Sequence, residues 1–184
     1  MLSARIADRA GIRNEFQKSF HAVNFPLYYN ENTRNGDKFM IVVVAVDDRN
    51  GMTFNHRRLS QDRILRKWIL QQALRDDRHV WMNAYTRMLF ATPTPEEECR
   101  LISDENFLAN APAGDICYVE NMDVRPFEDR IEEVWLCLWN RRYPADTYWE
   151  LDMSGWSLLC EEEFAGSSHD KITIQRLRRS GTGS

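Results

Sequence analysis

The sequence has no long hydrophobic segment and no recognisable metal-binding motif. Its apolar runs stay well short of the roughly 18 residues that a membrane-spanning helix needs, and its first residues lack the apolar stretch of a secretory signal. The four histidines are scattered, without H-E-x-x-H or any other spacing that would give a zinc ligand set. We therefore expect neither a membrane protein nor a metal-dependent hydrolase.

Basic residues do not predominate either. Lys and Arg number 24 against 28 Asp and Glu, which gives a formal net charge of −4. Proteins that bind nucleic acids carry a basic surface, so no nucleic-acid partner is expected. The four cysteines include no C-x-x-C pair, and three of them stand in apolar or strand-like surroundings. This usage predicts free thiols in a reducing cytoplasm.

The composition is that of an ordinary globular protein. The chain has 184 residues, of which 43% are hydrophobic and 28% charged, and this length favours one domain that needs no disulfide or metal to build a core. Residues 1–39 are polar toward their end and carry six basic and four acidic side chains. We interpret 1–39 as an N-terminal extension, flexible or weakly helical, 40–179 as the domain, and 180–184 as a tail.

Strands and helices alternate along the predicted domain. Residues 39–46 form a continuous β-branched run, which is typical of a central strand that is covered on both faces. An amphipathic helix follows up to about residue 74, with Ser60 as its predicted N-cap and Asp62 in its first turn. Further strands are predicted at 79–82, 100–102, 115–119, 133–139, 156–160 and 171–177, and short helices or helical turns at 84–90, 104–109 and 126–131. This order predicts a doubly wound α/β fold with a mostly parallel central sheet and an antiparallel C-terminal edge.

Several local strings resemble dihydrofolate reductase. The segment 44–55, with Asn50-Gly51-Met52, is similar to that family's first strand and mobile loop. Residues 79–86, HVWMNAYT, look like the family's V-I-M-G-R-x-T, and 133–149 resembles its later strand and G-D-T-x-F string. The resemblance covers about residues 40–179 in order. It implies a dihydrofolate-reductase-like fold and NAD(P)H-dependent hydride transfer to a pterin, a folate or another small heterocycle.

The resemblance also implies a substrate cleft between the first helix and the first, second and fourth strands. Asp62 is the only acidic residue in the segment 52–74, so it is the candidate for the family's catalytic carboxylate. A simple charge at the helix N-terminus is the alternative role for Asp62. Ala45, Met52 and Cys137 are the implied substrate-lining residues.

The implied NADPH site departs from the family pattern. Thr86 is kept, but Asn83 replaces a glycine, and Glu120 and Asn121 replace the glycine pair that lets the backbone approach the pyrophosphate. In the family an arginine pairs with the 2′-phosphate region, and Ala84 occupies that position here. Two functions therefore remain open. The chain is either a divergent NAD(P)H-dependent reductase or a protein of the same fold whose cofactor site is dismantled and which binds a small molecule or a protein partner.

A basic cluster surrounds the predicted first helix. Its members are Arg57, Arg58, Arg63, Arg66 and Lys67. The cluster is either a solvated helix face or a grip for a phosphate or a carboxylate near the helix N-terminus.

Overall fold

The structure is a computed structural model that describes residues 39–180. The predicted extension 1–39, apart from Phe39, and the predicted tail, apart from Ser180, lie outside the described residues. The strands are β1 (Met40–Val46), β2 (Gly51–Phe54), β3 (Arg57–Arg58), β4 (Val80–Met82), β5 (Leu101–Ser103), β6 (Ile116–Val119), β7 (Ile131–Leu138), β8 (Thr147–Tyr148), β9 (Trp156–Phe164) and β10 (Ile172–Arg179).

The helices are short, with one exception. They are α1 (Arg63–Arg75), α2 (Ala84–Arg87), α3 (Pro95–Glu98), α4 (Phe107–Asn110) and a 3₁₀ helix (Arg125–Arg130). Within residues 39–180, none of them is long and apolar enough to cross a membrane. Among the helices of residues 39–180, only α1 is long enough to cover several strands with one apolar face.

Seven strands form one sheet in the order β5-β4-β6-β1-β7-β10-β9. β1 pairs in parallel with β6 and β7, and β4 pairs in parallel with β5 and β6. β10 runs antiparallel to both β7 and β9, which places an antiparallel pair at one edge. The predicted α/β class, with a mostly parallel sheet and an antiparallel C-terminal edge, is confirmed.

β1 occupies the middle of the sheet because its side chains are apolar on both faces. Met40, Val42 and Val44 point into a core layer that includes Phe107 and Leu108. The intervening side chains point to the opposite face, which α1 covers. On that face Trp68 of α1 packs edge-on against Trp135 of β7, with ring centroids 5.4 Å apart, and Trp135 is the register partner of Val43.

α1 begins later than the sequence predicts. Its N-cap is Asp62, whose carboxylate accepts hydrogen bonds from the backbone N–H groups of Ile64 and Leu65, so the prediction of Ser60 as the cap is wrong. Asp62 is 2% exposed, and Ser168 of the β9–β10 connection also donates to it. Ser and Asp are both good N-cap residues, and the hydrogen bond from Ser168, 106 residues away in sequence, favours Asp62 over Ser60.

β2, β3 and β8 form a second, three-stranded sheet that the sequence does not reveal. The buried Asp47 fixes the turn into β2, because its Oδ1 accepts from the N–H of Gly51 at 2.7 Å and its Oδ2 accepts from the N–H of Tyr143 at 3.0 Å. Asp146 Oδ2 accepts from the N–H of Asn55 at 2.7 Å. Strands of two to four residues are too short to show an alternating pattern.

The close approach at Gly51 gives a test of this second sheet. A Cβ at Gly51 would lie 2.6 Å from Ala145 Cβ and 2.9 Å from Asp47 Oδ1. Gly51→Ala should therefore lower the free energy of unfolding by about 1–3 kcal/mol, measured by urea denaturation. Gly155→Ala is the matched control, since a Cβ there meets nothing within 4 Å. Equal losses in the two variants would contradict the packing described.

Candidate functional site

The carboxyl ends of the parallel strands meet at one edge of the sheet, where open α/β sheets bind their ligands. α1 begins beside this edge. Ala45, next to last in β1, lies on the α1 face and is half-buried, whereas the other residues of β1 are buried. The family resemblance implies a substrate cleft between α1 and the ends of β1 and β6, and we call this region, around Ala45, Arg66 and Glu120, the α1 cleft.

A buried carboxylate stands at the end of β6. Glu120 is 9% exposed and follows β6 directly, so strand alternation puts it on the same face as Tyr118. Its Oε2 accepts a hydrogen bond from Arg58 Nη2 at 3.0 Å in an ion pair. Burial raises the pKa of Glu120, and the neighbouring Arg58, Thr86 and Arg66 offset this increase in part. The carboxylate therefore depends on nearby positive charge.

Arg58 is held at three points by Tyr85. Its backbone N–H donates to the Tyr85 hydroxyl at 2.8 Å, and its Nη2 donates to the Tyr85 carbonyl at 2.9 Å. Its guanidinium carbon also lies 4.2 Å from the centroid of the Tyr85 ring, which is cation–π geometry. β3 is thereby tied across the end of the sheet to α2 and to Glu120.

The four predicted cofactor residues lie together at the ends of β4 and β6. Asn83 is the N-cap of α2, with its Oδ1 accepting from the N–H of Thr86 at 3.0 Å. Asn83 Nδ2 donates to Asn121 Oδ1 at 3.0 Å, next to the Arg58–Glu120 pair. Side chains bonded to one another thus occupy the space that glycine would leave open for a ligand.

A cavity of about 220 Å³ opens beside this group. Its lining residues are Asn121, Met122, Asp123, Arg125, Asp146, Thr147, Tyr148 and Glu150. Arg125, the one cation among them, already pairs with Asp123 at 2.9 Å and with Glu150 at 2.8 Å. Three carboxylates against one engaged arginine make this cavity unfavourable for a phosphate group.

Asp62, the predicted catalytic carboxylate, has contacts to both of its oxygens. Oδ1 caps α1, and Oδ2 accepts from the N–H of Ser168 at 2.8 Å and from its hydroxyl at 3.1 Å. Burial by itself would raise the pKa of Asp62, but backbone N–H groups outweigh it and hold the pKa well below its ordinary value. These contacts are those of a helix cap, the structural one of its two predicted roles.

His169 lies next to Asp62, and nothing in the sequence singles it out. Its Nε2 is 2.9 Å from the Tyr143 hydroxyl, and its ring stacks on Trp139 with centroids 4.5 Å apart. Its Nδ1 is 3.2 Å from Ser168 Oγ and 3.5 Å from Asp62 Oδ2. In a hydrolytic triad the nucleophile and the acid contact opposite ring nitrogens, whereas here Ser168 and Asp62 share one. This cluster is therefore not a hydrolytic triad.

The predicted substrate-lining residues separate in space. Ala45 borders the α1 cleft, and Cys137 is its register partner in the adjacent strand β7 and is fully buried. The structure places Met52 in the core layer on the other face of the sheet, away from α1. Among residues 39–180, no three His, Cys, Asp or Glu side chains are grouped to hold a metal ion.

Comparisons with known proteins give a likeness in fold. No protein-family model matches the chain. No curated protein matches it. Among solved structures, it is similar to dihydrofolate reductase from Enterococcus faecalis, complexed with NADP(H) and RAB-propyl, with a TM-score of 0.57 over 78% of this chain and 97% of that chain, at 9% identity. The fold is dihydrofolate-reductase-like, as predicted, and at this identity the likeness concerns the fold alone.

The contacts of Asp62 predict its contribution to stability. Asp62→Ala leaves the buried N–H group of Leu65 and the part-buried N–H groups of Ile64 and Ser168 without their acceptor, so the free energy of unfolding at pH 7 should fall by about 2–4 kcal/mol in urea denaturation. Asp62→Asn keeps one carbonyl oxygen as an acceptor and should lower the free energy of unfolding by less than Asp62→Ala does. Asp48→Ala, at an exposed position near the same edge, is the control and should cost less than about 0.5 kcal/mol.

The same carboxylate predicts a pH dependence of stability. The pKa of Asp62 in the folded state lies below its ordinary value of 3.8, so its stabilisation is complete above that pH and decreases as the pH falls further. The stability difference between the unmodified protein and Asp62→Asn should therefore shrink between pH 5 and pH 2.5. A difference that grows on acidification would contradict a lowered pKa.

Burial of the thiols predicts an order of reactivity toward a thiol reagent. Cys99 is exposed and should react within seconds, whereas burial raises the pKa of Cys117 to about 12 and also raises that of Cys137. Cys117 and Cys137 should therefore react only after unfolding in denaturant, as peptide mapping of the labelled protein can show. Fast labelling of Cys137 in the native protein would mean that the α1 cleft opens far enough to expose this thiol to solvent.

Proposed function

We propose that this chain is a binding protein on a dihydrofolate-reductase-like fold, which takes a small molecule in the α1 cleft and does not carry out NADPH-dependent hydride transfer. The observation that supports this proposal is the ion pair of Arg58 with Glu120, at 3.0 Å, where the family resemblance puts the pyrophosphate-binding glycines. The four cysteines are free thiols, so we place the protein in a reducing cytoplasm.

Separating Arg58 from Glu120 to admit a dinucleotide costs free energy. The side chains of Arg58 and Glu120 are only 16% and 8% exposed. Separating a buried pair leaves an uncompensated charge, at about 3–5 kcal/mol. Leaving the pair closed instead presents a carboxylate to the phosphates, where a family member offers backbone N–H groups. Either route makes NADPH a poor ligand for this site.

NADPH-dependent reduction is the second candidate function. The solved dihydrofolate reductase that the chain resembles is a complex with NADP(H), and Thr86 and Ala45 stand at positions that the resemblance assigns to cofactor and substrate. Against it, the residues at the ends of β4 and β6 do not fit the dinucleotide phosphates, and the oxygens of Asp62 are engaged in capping α1. We therefore assign no hydride-transfer step to these side chains.

Titration with NADPH and NADH, followed by tryptophan fluorescence, tests the proposal. Because one charged phosphate contact is worth about 1.5–3 kcal/mol and two are replaced here, the expected affinity for NADPH is about 100 μM or weaker, without a preference over NADH. Replacing Glu120 and Asn121 together by glycine should strengthen binding about tenfold or more. Glu96→Gly, at an exposed position of α3, is the control and should leave the affinity for NADPH unchanged.

Two results would overturn the proposal. One is submicromolar binding of NADPH by the unmodified protein, since Arg57 or Arg87 would then have taken over the phosphates. The other is turnover of dihydrofolate with NADPH, followed by the absorbance of the reduced nicotinamide. Urea denaturation of the double glycine variant establishes that a change in affinity is not a loss of folded protein.

A further inference from the structure

Arg66 is a charged residue on the inward-facing stripe of α1. It lies one turn after Asp62 and one turn before the buried Ile69 and Leu70, so its side chain projects toward the sheet. The residue is half-buried, yet its guanidinium makes no hydrogen bond or ion pair within the part of the chain that the structure describes. No nitrogen of Arg66 is among the buried side-chain nitrogens that lack a partner in residues 39–180, so the guanidinium reaches solvent at this edge and is accessible to an incoming anion.

Arg66 faces the end of β6. Burial raises the pKa of both Glu120 and Tyr118, and the positive charge of Arg66 acts in the opposite direction on both groups. The guanidinium is therefore near Glu120 and Tyr118 without contacting the carboxylate, which is bonded to Arg58 instead. Arg66 and Arg58 thus flank one carboxylate on the α1 side of the sheet.

The charges in the α1 cleft do not cancel. Arg58 and Arg66 both act on Glu120, since each lowers its pKa. Arg58 forms an ion pair with Glu120 at 3.0 Å, whereas Arg66 forms no ion pair with any side chain of residues 39–180. The remaining positive charge lies at the carboxyl edge of a parallel sheet, where ligands of this type of fold bind.

We infer that the α1 cleft recognises a small ligand through an oxyanion, a carboxylate or a phosphate, with Arg66 as its counter-charge. The Arg58–Glu120 pair stays closed, so the carboxylate of Glu120 repels the oxyanion and lowers its affinity. A guanidinium matches the geometry of both oxyanions with two parallel N–H donors. This inference rests on the proposed function, because it names the class of molecule that the binding site takes.

The experiment compares three probes of similar size on the full chain. Phenyl phosphate, benzoate and the uncharged benzamide are titrated separately by calorimetry, with tryptophan fluorescence as a second readout. Both oxyanions should bind at least tenfold more tightly than benzamide. The tighter of the two oxyanions identifies whether the cleft prefers a phosphate or a carboxylate.

Single substitutions locate the binding. Arg66→Met keeps an unbranched side chain but removes the positive charge, and it should weaken oxyanion binding at least tenfold. Arg63→Met is the matched control, because it removes the same charge from an exposed position of the same helix, and it should change the affinity less than twofold. Glu120→Gln removes the repelling charge and should strengthen binding severalfold. Thermal unfolding of each variant measures whether it is folded at the titration temperature.

Several outcomes would overturn the inference. These are no oxyanion binding at 10 mM, benzamide binding as tight as that of benzoate, and equal losses in Arg66→Met and Arg63→Met, which would indicate diffuse surface charge. Submicromolar NADPH binding that Arg66→Met leaves unchanged would overturn the proposed function and not the oxyanion site. If Arg66→Met abolishes that binding, the oxyanion is a phosphate of the dinucleotide, so the site stands and the proposed function fails.

Discussion

A buried carboxylate must be neutralised, and the architecture of the α1 cleft depends on how this is done for Glu120. The side chain lies at the end of a central strand, where burial disfavours its charge, and Arg58 supplies the compensating cation. Arg58 is in turn positioned by stacking and hydrogen bonds to Tyr85. The β3 segment is therefore anchored across the edge of the sheet, and charged side chains occupy the space at the end of β6.

Two buried carboxylates at this edge behave in opposite ways. Asp62 accepts hydrogen bonds from several backbone N–H groups, which favour its ionised form, so its pKa is lowered and its charge stabilises the fold at neutral pH. Glu120 depends chiefly on one arginine, which does not fully offset its burial, so its pKa is raised and its ionisation costs stability. Asp62 is thus a structural anchor, whereas the ionisation of Glu120 depends on its ion pair with Arg58.

The parts of the fold that the sequence predicts are those with a local signal. The β-branched run at 39–46 and the strands that follow it have patterns long enough to interpret, and they give the α/β class and the antiparallel edge. The N-cap of α1 and the β2–β8 pairing depend on contacts made after the chain has folded. Ser60 and Asp62 are both good caps, and only the distant Ser168 distinguishes them. Strands as short as β8 carry no periodicity at all.

The candidate site is less predictable than the fold because its key contacts join distant residues. Arg58 and Glu120 are 62 positions apart, and no local pattern pairs them, although the departure from glycine at Glu120 already indicates an altered cofactor site. Arg66 belongs to a basic cluster that, in sequence, is indistinguishable from a solvated helix face. Its position on the inward stripe of α1 separates it from Arg63, since helix geometry turns one toward the sheet and the other to solvent. A fold shared at 9% identity does not carry a ligand with it, and under the functions proposed above the charges in the α1 cleft determine which ligand is accepted.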